Sequence, residues 1–114
     1  MDTPQTITTR RSVKQYDPEH SLSAEDERYL MELTLQAPTA FNIQHWRFVL
    51  VKDPELRKQI REVAWDQAQV TDASLLVVVC GDLKAWARDP ERYWCNAPQE
   101  VRDMLVPAIK TYYD

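Results

Sequence analysis

Only two stretches of this chain read as β-strands, and that scarcity decides the fold class. Residues 46–52 begin Trp-Arg-Phe-Val-Leu-Val and are rich in aromatic and β-branched side chains. Leu75 to Cys80 is an unbroken apolar run, which predicts a central strand covered on both faces. Two strands are marginal in water by themselves and do not close a sheet, so helices must supply the rest of the core. The class this predicts is α+β.

The helices follow from spacing and punctuation. Residues 5–10 form a short candidate helix. Tyr29, Leu30, Leu33 and Ala37 recur at helical intervals, so 24–37 is expected to be an amphipathic core helix. Ser23, with Asp26 three places on, resembles a capping signal. The helix should end at Ala37, because the residue before a proline is pushed out of the α region. Asp53-Pro54-Glu55 opens another helix, with Asp53 as cap and proline at the first helical position. Leu56, Ile60, Val63 and Ala64 give that helix its buried face. Residues 66–73 are polar and helical near their end. Residues 83–97 set Trp86, Tyr93 and Trp94 among charges and prolines and give no assignment. After Pro98 a last helix presents Val101, Leu105, Ile109 and Tyr112, and Pro107 is expected to kink it or end it early.

With 114 residues the chain suits one domain. None of its apolar runs approaches the roughly 18 residues of a membrane span. Its opening lacks a basic segment followed by an apolar one, so no signal peptide is expected. A net charge of −4 argues against a general nucleic-acid binder, which carries a broad basic footprint. Cys80 and Cys95 have neither metal-ligand spacing nor the density of a disulfide scaffold. Cys80 is expected to be buried at a strand end, and such cysteine usage suits a cytoplasmic location. His20 and His45 lack any triad-like arrangement. The single glycine, Gly81, excludes a glycine-rich phosphate loop. Any phosphate must therefore be held by side chains.

Side chains of that kind occur together once. Thr9-Arg10-Arg11-Ser12-Val13-Lys14-Gln15-Tyr16 gathers a planar fork of donors, a mobile point charge and a hydroxyl. This set suits a phosphate ester, where charge-assisted hydrogen bonds are strong, and equally a solvated basic turn. A second stretch, Ala37-Pro38-Thr39-Ala40-Phe41-Asn42-Ile43-Gln44-His45-Trp46-Arg47-Phe48-Val49-Leu50-Val51, is a polar turn that leads into the first strand. Its Asn and Gln amides suit a heterocycle edge such as the pyrimidine part of a flavin.

Taken with Gln67-Ala68-Gln69-Val70-Thr71-Asp72-Ala73-Ser74 ahead of the second strand, these stretches resemble the nitroreductase family of FMN-dependent oxidoreductases. The resemblance covers residues 6 to about 82 well and the remainder loosely. It implies a nitroreductase-like fold, with helices packed around a central sheet. Family members are longer, so residues 1–114 resemble the N-terminal part of one such domain, the C-terminal part being absent from this sequence. Arg10, Arg11, Ser12 and Lys14 would contact the FMN phosphate, ribityl chain and ring edge. Pro38, Thr39, Ala40, Phe41 and Asn42 would lie beside the flavin of the partner subunit in a homodimer. Gln67 and Gln69 match the part of the family that reaches the ring or ribityl hydroxyls. The implied reaction passes electrons from NAD(P)H to a small nitroaromatic or quinone-type acceptor in ping-pong order, with no catalytic side chain required. The alternative is a truncated, non-catalytic dimerisation or flavin-binding module. Neither a nucleic acid nor a membrane is expected as partner.

Overall fold

A computed structural model describes residues 2–114. The order of elements is α1 (Thr3–Thr9), α2 (Ala24–Thr34), β1 (Trp46–Leu50), α3 (Pro54–Val63), α4 (Gln69–Asp72), β2 (Val77–Gly81) and α5 (Gln99–Tyr113). Tighter helical turns occur at Ala40–Asn42, Ala85–Ala87 and Pro90–Trp94. The chain divides into two compact units. One comprises the residues up to Ser23 with Leu50–Leu76, the other Ala24–Val49 with Val77–Asp114.

In the first unit the starts of α1 and α3 are side-chain capped, whereas α4 starts after Ala68 without a side-chain cap. The Asp2 carboxylate accepts from Gln5 N–H at 2.8 Å, and Asp53 accepts from Glu55 N–H at 2.9 Å. Each cap satisfies a donor that a helix N-terminus leaves orphaned, and Pro4 and Pro54 occupy first-turn positions where no N–H is needed. Asp53 thus caps as its sequence position predicts. Helix α4 packs on α3 through arginines. The Arg57 guanidinium donates to the carbonyls of Ala73 at 2.7 Å and Thr71 at 3.4 Å. Arg61 donates to the Thr71 hydroxyl and the Asp66 carboxylate. Val51 and Val70 are the buried apolar residues of this unit. The Ser74 hydroxyl donates to the His20 carbonyl at 2.8 Å, tying the N-terminal segment to the rest.

The second unit holds the sheet. Strand β1 alternates, with Trp46, Phe48 and Leu50 half-buried and Arg47 and Val49 exposed. The Trp46 and Phe48 rings lie on that half-buried face, 5.6 Å apart. Asp82 N–H donates to His45 C=O at 2.7 Å, and beyond the other end of the ladder Val51 N–H donates to Leu76 C=O at 2.9 Å. Rising numbers on one strand meet falling numbers on the other, so the two strands run antiparallel. Strand β2 does not meet the expectation of cover on both faces: Val78 and Val79 are 39% and 67% exposed. Cys80 is exposed too, not buried. With two strands in the sheet, an apolar run has no second layer to lie under.

Helix α2 stops at Thr34, and hydrogen bonds from Gln36 N–H to Leu33 C=O and Ala37 N–H to Thr34 C=O tighten the chain into a turn up to Pro38. Its apolar residues Tyr29, Leu30 and Leu33 are exposed, not in a core as their spacing predicts. The core instead gathers Ile43, Ala85 and Ile109, with Phe41, Trp86, Tyr93, Trp94 and Tyr113 packed around them. Helix α5 runs through Pro107 without ending. An interior proline costs ~3 kcal/mol. Beyond it, Ile109 becomes fully buried and Tyr113 joins the cluster, which favours continuing the helix.

Candidate functional site

The N-terminal cluster lies in the irregular segment that follows α1. The Arg10 guanidinium donates to the Ser12 hydroxyl at 3.3 Å, so the planar fork and the hydroxyl adjoin. Arg11 turns away, donating to the carbonyls of Thr8 and Arg10. All four of Arg10, Arg11, Ser12 and Lys14 are exposed. Among the described residues no carboxylate pairs with Arg10 or Lys14. The structure brings Arg10 and Ser12 together and leaves Lys14 without a protein contact of that kind.

The loop at 38–44 belongs to the second unit and is held under strain. Phe41, Asn42 and Gln44 have φ of 54°, 54° and 52°, a left-handed region that costs roughly 1–2 kcal/mol for a residue with a Cβ. Three local bonds maintain it. Thr39 Oγ1 accepts from Gln44 N–H at 2.9 Å, Asn42 N–H donates to Thr39 C=O, and Ile43 N–H donates to Ala40 C=O. Below the loop, Ile43 anchors the core at 1% exposure. The Phe41 ring faces inward onto α5, while Pro38, Ala40 and Asn42 are exposed and Thr39 half-buried. The next residues continue the pinning: Arg47 donates to the carbonyls of Gln44 and Trp46 and pairs with Asp82, which also receives Arg88. His45 Nδ1 and Trp46 Nε1 are buried without a partner.

Gln67 is exposed and Gln69 half-buried at the start of α4, on the segment that Arg57 and Arg61 fasten to α3. Sequence reading missed those arginines and also Arg47 and Arg92. The signal for the first pair was present, since positions 57 and 61 are neighbours on one helical face.

The profile of the nitroreductase family matches residues 7–107. The chain belongs to the nitroreductase family. Protein DrgA of Synechocystis is 58% identical over 113 residues, covering 99% of this chain and 54% of that protein. A Bacillus subtilis relative, YodC, which carries an NAD(P)H nitroreductase name, is 36% identical over 94% of this chain and 55% of its own. Among solved structures, a nitroreductase-like protein of Exiguobacterium sibiricum in complex with FMN superposes with a TM-score of 0.75 at 32% identity, over 99% of this chain and 57% of that one. This nitroreductase-family chain therefore spans about half the length of the curated relatives it matches. The superposition places its helices and small sheet within the nitroreductase-like fold.

The residues present in this family member fit an FMN phosphate chemically. A guanidinium bonded to a hydroxyl that can turn its own hydrogen outward, with an ammonium two residues on and no carboxylate partner among the described residues, offers N–H and O–H donors suited to a phosphate dianion. The strained loop, with the exposed amide of Asn42 at its tip, suits the edge of a polar heterocycle.

Proposed function

We propose that residues 1–114 form the N-terminal part of a single nitroreductase-like domain, in a homodimeric FMN-dependent oxidoreductase that uses NAD(P)H. In this reading the electron acceptor is a small nitroaromatic or quinone-type molecule. The observation that carries it is the Arg10–Ser12 contact beside Lys14, a phosphate-suited donor set with no acidic partner in a chain of this family. The FMN bound by the Exiguobacterium sibiricum protein and the NAD(P)H nitroreductase name of YodC support it.

Arg10, Ser12 and Lys14 would hold the phosphate, with Arg11 near the ribityl chain. Gln67 and Gln69 would reach ribityl hydroxyls or the ring. Pro38, Thr39, Ala40, Phe41 and Asn42 would form a wall for the flavin of the partner subunit. When bound, FMN supplies the electron-transfer chemistry, accepting hydride from the nicotinamide and reducing the second substrate. The protein binds and orients, and no side chain serves as obligatory proton donor. One open pocket serves donor and acceptor in turn, which gives ping-pong kinetics. Exposed Tyr29, Leu30 and Leu33 on α2 and Val79 on β2 provide apolar surface for subunit association.

FMN titration followed by flavin absorbance tests the reading. Arg10→Ala should weaken binding by ~1.5–3 kcal/mol, the scale of a hydrogen bond to a charged group. Equal affinity of variant and wild type would falsify the phosphate assignment. A chain that dimerises in sedimentation yet binds no flavin is instead the non-catalytic module.

A further inference from the structure

We infer that a cleft beside the strained loop is a second anion site, which takes the phosphate or carboxylate group of a small ligand against an aromatic wall. It lies wholly within the second unit and is an open cleft of about 570 Å³. Asn42, Gln44 and Arg47 line it from one segment and Arg92 and Asn96 from another, and Trp46 and Tyr93 contribute the aromatic surface.

The charge balance of this cleft is the first argument. Arg92 has no carboxylate partner among the described residues: its guanidinium sits 4.5 Å from the Tyr93 ring centroid and donates to the Tyr93 hydroxyl. That hydroxyl is itself oriented by donating to Ala85 C=O at 3.1 Å, so Arg92 rests on a fixed shelf. Arg47 shares the single carboxylate of Asp82 with Arg88, and Asp82 is not among the residues that line the cleft. Two guanidiniums therefore face a space that no acidic side chain lines.

The donor inventory is the second. Each guanidinium carries five N–H groups in a planar fork. Arg47 directs Nη1 to the carbonyls of Gln44 and Trp46 and one Nη2 hydrogen to Asp82, leaving its other donors without an acceptor among the described residues. Arg92 commits only its bond to Tyr93. Among the described residues no hydrogen bond engages the Gln44 or Asn96 side-chain amide, and both add further donors to the cleft. Forks of this shape match the oxygens of phosphate and carboxylate.

The third is rigidity. Gln44 is held in a left-handed conformation by the Thr39 hydroxyl, and its carbonyl in turn holds Arg47. One wall is thus ordered before any ligand arrives, which lowers the cost of binding. The site uses none of Arg10, Arg11, Ser12 or Lys14 and shares only Asn42 with the proposed flavin wall, so its two arginines go beyond the FMN reading and do not rest on it.

NMR of the 114-residue chain, following arginine Nε–H and side-chain amide signals, tests the proposal with inorganic phosphate and, separately, benzoate. The expected result is saturable movement of the Arg92 and Asn96 signals with at least one of them. Saturation by phosphate alone assigns a phosphate-bearing ligand, by benzoate alone an aromatic carboxylate, and by both an oxyanion of either kind. Arg92→Gln should weaken binding by about tenfold, a factor worth about 1.4 kcal/mol. Arg92→Lys keeps the charge but loses the fork, and should fall between. Arg28→Gln, at a residue paired with Glu32 outside the cleft, should change nothing. Movement that does not saturate, that appears equally at Arg28, or that is confined to Arg10 and Arg11 overturns the site. Circular dichroism of each variant confirms that the comparison is between folded chains.

Discussion

The ring of Phe41 meets that of Tyr112 edge-on, with centroids 5.5 Å apart. Tyr113 lies on the same ring at 6.5 Å, and Trp86 stacks on Tyr113. The last turn of α5 thereby clamps a residue whose φ of 54° a bulky side chain disfavours. Edge-to-face pairs contribute ~0.5–1.5 kcal/mol beyond area burial, comparable to the strain they must offset.

Phe41→Ala therefore removes the clamp while leaving the strain. A half-buried ring should cost about half the value of a buried one, ~1.5–2.5 kcal/mol. Urea unfolding followed by tryptophan fluorescence measures this. Unchanged midpoint and slope would mean that the Tyr112 and Tyr113 contacts contribute nothing.

Arg57→Ala strips two carbonyls, those of Thr71 and Ala73, of their donor. The expected loss is ~1.5–3 kcal/mol, with local fraying of α4 before global unfolding. Hydrogen exchange at the Val70 to Asp72 amides should accelerate more than exchange in α5. Uniform acceleration across both would contradict a local role.

Trp65→Gly should stabilise the chain. Trp65 is 91% exposed, so it has little packing to lose, and its φ is 56°. Relief of the left-handed conformation, less the entropy cost of glycine, leaves a gain of ~0.5–1 kcal/mol. A lower unfolding midpoint than wild type would show that the indole packs in solution.

Stability should also decline in strong alkali through Tyr113. Burial holds its phenol above the ordinary value of 10.0, and neighbouring Tyr112 adds to the shift. The folded state keeps this proton more tightly than the unfolded one, so the contribution is complete below pH 10.0 and lost as pH rises through the folded value. Tyr113→Phe should flatten that decline in denaturation curves taken across the range.

His45→Ala gives a mechanistic check on the flavin reading. Without an obligatory proton donor, flavin reoxidation should slow by less than ~100-fold, the lower end of general acid catalysis. A larger loss with FMN still bound would assign His45 a proton-transfer role.

Local signals carried the elements, and burial escaped them. Asp53 and Pro54 announced α3 through chemistry confined to adjacent residues, and Trp46 to Leu50 announced β1 through their aromatic and β-branched side chains. Exposure depends on what covers a face, and the spacing of Leu30 and Leu33 or the run Val77–Val79 says nothing of that. Pro107 did not end α5 early, because burial of Ile109 two residues on favours continuing the helix. In the candidate site, Arg10 and Ser12 were legible as residue types at short spacing. Arg92 was not, since its role depends on a cleft assembled from segments nearly fifty residues apart.

The open ladder of β1 and β2 has a consequence for handling the protein. Each strand offers one row of backbone donors and acceptors with no neighbour among the described residues, and Val79 leaves an exposed apolar side chain on β2. Such a border recruits extended segments from other molecules, at a rate that climbs with concentration and with transient unfolding. A lysine in place of Val79 should act as a gatekeeper and lengthen the time the protein stays clear of precipitate.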